Sequence, residues 1–265
     1  MGEAAAMQAA GGNRPYLEEI EALDELRRKV FSSVGDYAIL PHEEFTAEKS
    51  NMIRMQRALS WLRRYAEDEV DKDIGFILHW IAFESLYGRE ENSQYSKHGK
   101  VTTAKEIEKF FDELKATEMG RVQLVEATIT IIDDIRAAFA NPYISTAAWY
   151  SYYSKKVPRA GGRHNPFAAE KPRPCTQSKL KDPKQYDAII REVFLRMYLV
   201  RNQLFHGNAT YKGHDDSEKS AQIVSGYNIL RQLMPPIISI MLRSMEEDPA
   251  SERWGLVPYP RIKDK

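Results

Sequence analysis

The sequence predicts an all-α protein, and three features of its 265 residues support this fold class. Apolar residues recur at spacings of three and four along most of the chain, as they do on the buried face of a helix. Strand patterns, in which apolar and polar residues alternate, are nearly absent. Residues that end helices, such as Gly88 and the pair Asn141-Pro142, follow the periodic segments.

The periodic segments predict the positions of the helices. They are expected over residues 15–31, from Thr46 onward, over residues 71–87, 103–116, 119–140 and 184–206, and from Asp216 onward. On the helix after Thr46, the positions predicted to face the core are Met52, Met55, Leu59 and Leu62, and those predicted to face outward are Glu48, Lys49 and Arg54. In the last helix, Pro235-Pro236 predicts a kink or a break, because neither ring nitrogen can donate a hydrogen bond.

The same helices indicate the domain organisation. We predict a flexible tail over residues 1–14, an N-terminal helix and linker over residues 15–45, and a C-terminal tail over residues 246–265. Between them, residues 46–245 are predicted to form one helical domain, which contains a basic, Pro-rich insert at residues 155–184.

Composition excludes several classes of protein. Lys and Arg number 38, as do Asp and Glu, so the formal net charge is zero and nucleic acid could be bound only through a local basic patch. The single cysteine, Cys175, excludes an internal disulfide and zinc sites built from several cysteines. The histidines show no spacing typical of a metal site, so we expect neither a metal nor another cofactor. No segment reaches the ~18 apolar residues that a membrane span needs, and no signal peptide is recognisable, so we expect a cytoplasmic protein.

The insert at residues 155–184 differs from the rest of the chain. It contains five prolines, and its nine Lys or Arg against two acidic residues give a formal charge of +7. One interpretation is a solvated loop between two core helices. The other is a surface that binds single-stranded RNA, on which cations contact phosphates and aromatic rings stack on bases. The residues predicted for such a surface are Tyr152, Tyr153, Lys155, Lys156, Arg159 and Arg163.

The helix over residues 184–206 ends in polar residues suited to phosphodiester chemistry. Arg201 and Asn202 follow an apolar stretch, and His206 comes directly before Gly207. Asn202 and His206 are four residues apart and therefore share one face of the helix. Arg201 would stabilise charge that develops on a phosphorus atom, and the imidazole of His206 would move a proton. The alternative is structural: a histidine favoured by the helix dipole, and an arginine bonded to a carboxylate.

A second string, over residues 79–88, places a carboxylate among aromatic residues. Glu84 falls on the same helical stripe as Trp80 and Tyr87. A carboxylate on a buried face is costly unless a cation pairs with it, and Arg201 is the partner that we predict. In the alternative, Glu84 lies at the edge of the stripe and reaches water.

The two strings, in this order and on helices, resemble the HEPN superfamily (higher eukaryotes and prokaryotes nucleotide-binding). The string Trp80-Ile-Ala-Phe-Glu-Ser-Leu-Tyr-Gly88 is similar to an early core helix of its stand-alone bacterial members. The string Arg201-Asn202-x-x-x-His206-Gly207 is similar to the Arg-x4–6-His motif of the superfamily. The resemblance covers roughly residues 46–245. It implies a bundle of four to five core helices, here with extra helices and the basic insert, and usually a homodimer.

The resemblance also implies an activity. Many members are metal-independent endoribonucleases, in which the ribose 2′-hydroxyl attacks the adjacent phosphate and leaves a 2′,3′-cyclic phosphate. By this resemblance, His206 would move the proton and Arg201 would stabilise the pentavalent phosphorus. Asn202 would orient the phosphate or His206, and Glu84 would position Arg201.

The resemblance extends to partners. Many bacterial members act as toxins or in defence against phage, often beside an antitoxin protein, so RNA and an antitoxin are the implied partners. Other members bind RNA or nucleotides without cutting. A non-catalytic module that binds RNA, nucleotide or protein is therefore the alternative function.

Overall fold

The computed structural model describes residues 3–34, 46–68, 70–89, 103–141, 144, 182, 185–205 and 218–257. These residues form eight α-helices: α1 (Glu3–Val30), α2 (Ala47–Glu67), α3 (Lys72–Tyr87), α4 (Thr103–Leu114), α5 (Glu118–Thr130), α6 (Ile132–Ala140), α7 (Tyr186–Phe205) and α8 (Glu218–Glu247). A short 3-10 helix, Glu252–Trp254, follows. No strand occurs in the described ranges, so the predicted all-α class is confirmed. None of the described helices combines the length and the apolar composition that a bilayer crossing needs.

The local sequence determines where α2 begins and where α3 ends. The hydroxyl oxygen of Thr46 accepts a hydrogen bond from the main-chain N–H of Lys49 at 3.3 Å, which satisfies one of the donors that a helix N-terminus leaves without a partner in the helix. Helix α3 ends at Tyr87, and the N–H of the next residue, Gly88, donates to the carbonyl of Glu84 at 3.0 Å. Both ends agree with the predictions.

Two helices begin or end elsewhere than predicted. Helix α1 begins at Glu3 and includes Pro15, the predicted start, because residues 3–10 are all strong helix formers. The helix predicted over residues 119–140 is instead two helices, α5 and α6, separated at Ile131 with φ −115° and ψ 16°. Residues 128–132 are all β-branched, which lowers the helix propensity at this point.

The predicted break in the last helix does not occur. Helix α8 continues through Pro235 and Pro236. Met234 and Ile237, on either side of the pair, are fully buried. Burial of the apolar side chains around the prolines offsets the loss of the two hydrogen bonds that their ring nitrogens cannot donate. Packing therefore keeps the helix continuous at this point.

The chain divides into two compact units. Unit 1 comprises Met1–Asp71, Leu78–Gly120 and Met234–Lys265, and unit 2 comprises Lys72–Ile77 and Arg121–Leu233. Helices α3, α5 and α8 therefore contribute residues to both units.

The core of unit 1 is rich in aromatic side chains. The ring centroids of Phe83 and Phe110 lie 5.6 Å apart in an edge-to-face arrangement, and Trp254 lies 6.0 Å from Phe110. Trp254 is only 2% exposed, and Val257 is 1% exposed. Residues from the segment predicted as a C-terminal tail therefore belong to the core of this unit.

A buried arginine connects α2 to that segment. Arg54 is fully buried, and its Nη2 donates to the carbonyls of Trp254 and Gly255, both at 2.9 Å. Its Nη1 donates to the carbonyls of Leu86 and Gly88, which stand at and just after the end of α3. The guanidinium thus supplies donors to main-chain carbonyls at and beyond helix ends, and the carbonyl of Gly255 also accepts from Oγ of Ser50 at 3.4 Å. The prediction that Arg54 faces outward is therefore wrong.

Two charged side chains and a glycine lie beside Arg54. Arg89 pairs with Glu113 and donates to the carbonyl of Arg253 at 3.1 Å. Burial raises the pKa of Glu113, although the charge of Arg89 opposes the shift. Burial, together with the charge of Arg89, lowers the pKa of Arg54 to about 9. Gly255 has φ +66°, and a Cβ at this position would lie 3.2 Å from the Arg89 side chain, so both backbone and space favour glycine.

Unit 2 holds α7 through apolar packing. The buried residues of α7 are Tyr186, Ile189, Ile190, Val193, Phe194, Met197 and Val200. The guanidinium of Arg196 lies over the Phe139 ring at 4.3 Å and donates to the carbonyl of Ile144 at 3.3 Å. A Cβ at Gly226 would lie 2.9 Å from the Phe76 ring and 3.1 Å from the sulfur of Met197. The absence of a side chain at Gly226 therefore lets α8 pack closely against α7.

Candidate functional site

Of the three predicted catalytic residues that the structure describes, Arg201 and Asn202 lie on the last ~1.5 turns of α7, in unit 2. Val200 is fully buried, and Gln203 on the same face is 6% exposed. Arg201 and Asn202, between them, are half-buried. The helix ends at Phe205, whose side chain is 53% exposed. The helix thus changes from a core face to a partly exposed polar and aromatic surface.

Two neighbours on the same helix hold the Arg201 side chain. Its Nη1 donates to Oδ1 of Asn202 at 3.1 Å. Its Cζ lies 4.6 Å from the centroid of the Phe205 ring, one helical turn further on. Successive residues project about 100° apart on a helix, but the long arginine side chain spans this angle. We call these three side chains, Arg201, Asn202 and Phe205, the Arg201 surface.

The Arg201 surface orients a planar cation. A guanidinium stays protonated at neutral pH and presents a fixed fork of N–H donors, which matches the oxygens of a phosphate. Contact with an aromatic face is worth about 0.5–1 kcal/mol at an exposed site, and the bond to Asn202 further restricts the side chain. Oδ1 of Asn202 accepts from Arg201, and Nδ2 of the same amide carries two N–H donors. The surface is therefore suited to an anion.

Glu84 lies on α3, in unit 1, and is half-buried. Phe83 and Leu86, on the same helix, are fully buried. Arg201 belongs to unit 2. The predicted pairing of Glu84 with Arg201 stays a prediction.

The remaining predicted site residues lie outside the described residues. They are His206 and the proposed RNA-binding residues Tyr152, Tyr153, Lys155, Lys156, Arg159 and Arg163. Of the insert at residues 155–184, the structure describes Asp182, whose carboxylate accepts a hydrogen bond from Nε2 of Gln185 at 2.9 Å. The roles of the insert and of His206 stay predictions.

Sequence reasoning missed Phe205. Two signals could have indicated it. It lies one position beyond Leu204, where the buried stripe of α7 would continue from Val200, so its exposure follows from helical spacing. It also stands four residues after Arg201, the spacing at which an arginine and an aromatic ring meet on one helix face.

Within the described ranges, no three His, Cys, Asp or Glu side chains form a group that could hold a metal ion. The histidine that the structure describes, His79, is fully buried, and its Nε2 lies 2.9 Å from the hydroxyl of Tyr16. Its ring also packs against Tyr65, with centroids 4.6 Å apart. These contacts place His79 in the core of unit 1.

The chain was compared with models of protein families, with curated proteins and with solved structures, and no match was found. An assignment of function to this chain therefore depends on its two sequence strings and on the Arg201 surface.

Proposed function

We propose that this chain is a metal-independent endoribonuclease of the HEPN type. The observation that carries the proposal is the fixed orientation of Arg201, which is bonded to Asn202 at 3.1 Å and stacked on Phe205 at 4.6 Å. A phosphate that becomes pentavalent gains negative charge, and a cation that is already oriented stabilises this charge without reorganisation during the reaction. His206 follows one residue after Phe205 in the sequence.

In the proposed reaction, the ribose 2′-oxygen attacks the adjacent phosphorus as its proton is removed. The bond from phosphorus to the 5′-oxygen breaks, and this oxygen takes up a proton. The products are a 2′,3′-cyclic phosphate and a 5′-hydroxyl. His206 would move these protons, and Arg201 would contact the non-bridging oxygens. The two donors on Nδ2 of Asn202 would orient the phosphate or His206.

The proposal includes partners. RNA is the substrate, and the chain would act as a homodimer in which two Arg201 surfaces face one cleft. Glu84 would position Arg201, and the basic insert would contact the RNA backbone. An antitoxin protein would suppress the activity if the chain serves as a toxin or a phage-defence effector.

The test is cleavage of mixed RNA by the purified full-length chain in the presence of EDTA, with analysis of the product ends. The parent is compared with Arg201→Ala and His206→Ala. Removing either group should lower the rate at least ~100-fold, the usual scale for a group that moves a proton or stabilises developing charge. Products of the parent should carry a 2′,3′-cyclic phosphate.

Arg191→Ala is the matched control. Arg191 is an exposed arginine on the same helix, so its removal changes the net charge as Arg201→Ala does. We expect this variant to cut RNA at the parental rate. Equal cutting by all four proteins would reveal a contaminating nuclease. RNA binding by a parent that does not cut would contradict the proposal and favour the non-catalytic binding module.

A further inference from the structure

Phe205 has the most exposed side chain among the large apolar residues of the described ranges. It is 53% exposed, whereas the next, Ile129, is 46% exposed. A single exposed apolar side chain is ordinary in a globular protein and needs a second observation to be informative. That observation is the guanidinium of Arg201, whose Cζ lies 4.6 Å from the centroid of the ring.

The pair offers one contact to each of two parts of a nucleotide, the base and the phosphate. An aromatic ring stacks on the face of a nucleobase, and this contact tolerates any base because every base has such a face. A guanidinium binds phosphate oxygens through parallel N–H donors. In the Arg201 surface the two groups are neighbours, and the bond to Asn202 restricts the cation, so both groups are ordered before a ligand arrives.

We propose that Phe205 stacks on a nucleobase of the RNA and thereby places a neighbouring phosphate on Arg201. This inference rests on the proposed function and adds a residue that positions the substrate. Stacking adds affinity for single-stranded RNA with no preference for a particular base. It also accounts for the position of Phe205 outside the buried stripe of α7, where core packing does not use its ring.

The test measures binding, so that it does not depend on cleavage. The probes are two short, single-stranded 2′-O-methyl RNA oligonucleotides, which lack the attacking hydroxyl. One carries bases throughout, and the other has abasic sugars throughout. The proteins are the full-length parent, Phe205→Leu, which keeps the apolar character but removes the ring, and Phe205→Tyr, which keeps the ring.

We expect Phe205→Leu to bind the oligonucleotide with bases about tenfold more weakly than the parent does, the scale of one base–aromatic stack. The same variant should lose much less affinity for the abasic oligonucleotide, since there only its weaker hold on Arg201 counts. Phe205→Tyr should retain the parental affinity for both probes. Circular dichroism of the three proteins checks that α7 remains folded.

The following results would overturn the inference. If Phe205→Leu lowers the affinity for both oligonucleotides equally, Phe205 acts only by holding Arg201. If the parent binds neither probe, the exposed ring belongs to a protein contact. Cleavage of unmodified RNA is measured separately. If the parent cleaves RNA but Phe205→Leu has no base-dependent effect on binding, this inference is wrong and the proposed function stands. If binding depends on the bases but the parent does not cleave, the proposed nuclease activity is wrong and the stacking role of Phe205 stands.

Discussion

The guanidinium of Arg54 donates a hydrogen bond at 2.9 Å to the carbonyl of Trp254, a residue 200 positions further along the chain. Arg54 thereby connects the middle of α2 to the residues that follow α8, within unit 1. Its two Nη groups also reach the carbonyls of Gly255, Leu86 and Gly88. One side chain therefore donates to four main-chain acceptors, of which the carbonyl of Gly255 also accepts from Oγ of Ser50 at 3.4 Å.

Arg54→Met should destabilise the protein by at least about 3 kcal/mol. Methionine fills a similar volume but has no donor, so buried carbonyls lose their partners, at about 1–3 kcal/mol for each unsatisfied group. Unfolding in urea, followed by circular dichroism, measures the change. Arg64→Met is the control, because Arg64 lies on the same helix with a side chain 64% exposed and pairs with Asp68 at the surface. An Arg54→Met protein as stable as the control would contradict this account.

The stability of unit 1 should fall in acid because of Asp24. This buried carboxylate contacts Arg27 at 2.8 Å, Arg28 at 2.7 Å and Arg63 at 3.0 Å. Burial alone would raise its pKa, but hydrogen bonds from Arg27 and Arg63 and the nearby positive charges hold the pKa below its ordinary value of 3.8. The folded state therefore binds the proton more weakly than the unfolded state, so the stabilisation is complete well above pH 3.8 and is lost as the pH falls through the lower, folded-state pKa.

Asp24→Asn tests this expectation. At neutral pH the variant should be about 2 kcal/mol less stable than the parent, since hydrogen bonds to a charged group are lost. The difference should shrink as the pH is lowered below 3.8, which urea unfolding at a series of pH values will measure. Glu25→Gln, at an exposed acid on the same helix, serves as the control of equal charge change. A difference for Asp24→Asn that is constant with pH would argue against the role of the charge.

Gly226→Val should destabilise unit 2 by about 2–3 kcal/mol, the range for overpacking a well-filled core. The Cβ alone would approach the fully buried Phe76 ring to 2.9 Å, and valine adds two methyl groups. Ser225→Val, one residue earlier and half-buried, introduces the same β-branched side chain and should cost less than about 1 kcal/mol. Thermal unfolding of the two variants, compared directly, separates packing from helix propensity. A loss for Gly226→Val no larger than that for Ser225→Val would contradict the packing account, since helix propensity by itself favours valine over glycine.

Asn202→Asp should abolish most of the proposed ribonuclease activity while Arg201 remains present. A carboxylate in place of the amide would pair with the guanidinium and neutralise the charge that the phosphate needs. We expect a rate loss of about 100-fold, the scale for removing one electrostatic contact to a transition state. Initial rates on unmodified RNA measure it, with Gln185→Glu as a control of equal charge at the start of α7. Parental activity in Asn202→Asp would exclude a role for the charge of Arg201.

The sequence by itself determined the all-α class and the course of most helices. Apolar spacing reports the buried face of a helix directly, and the cap at Thr46 and the stop at Gly88 depend on residues close in the chain. The same local rule also placed Arg201 and Asn202 together near the end of α7. These features need no knowledge of distant contacts.

Tertiary structure alone decided the features that depend on residues far apart in the chain. Arg54 occupies a polar position in the local pattern, yet it is fully buried because carbonyls about 30 and 200 positions away need its donors. Helix α8 passes through Pro235-Pro236 because its flanking side chains are buried. The contact of Arg201 with Phe205 depends on the conformations of both side chains, because a spacing of four residues permits this contact but does not require it. A local pattern records which face of a helix is apolar, but it does not record which distant group will satisfy a buried polar atom.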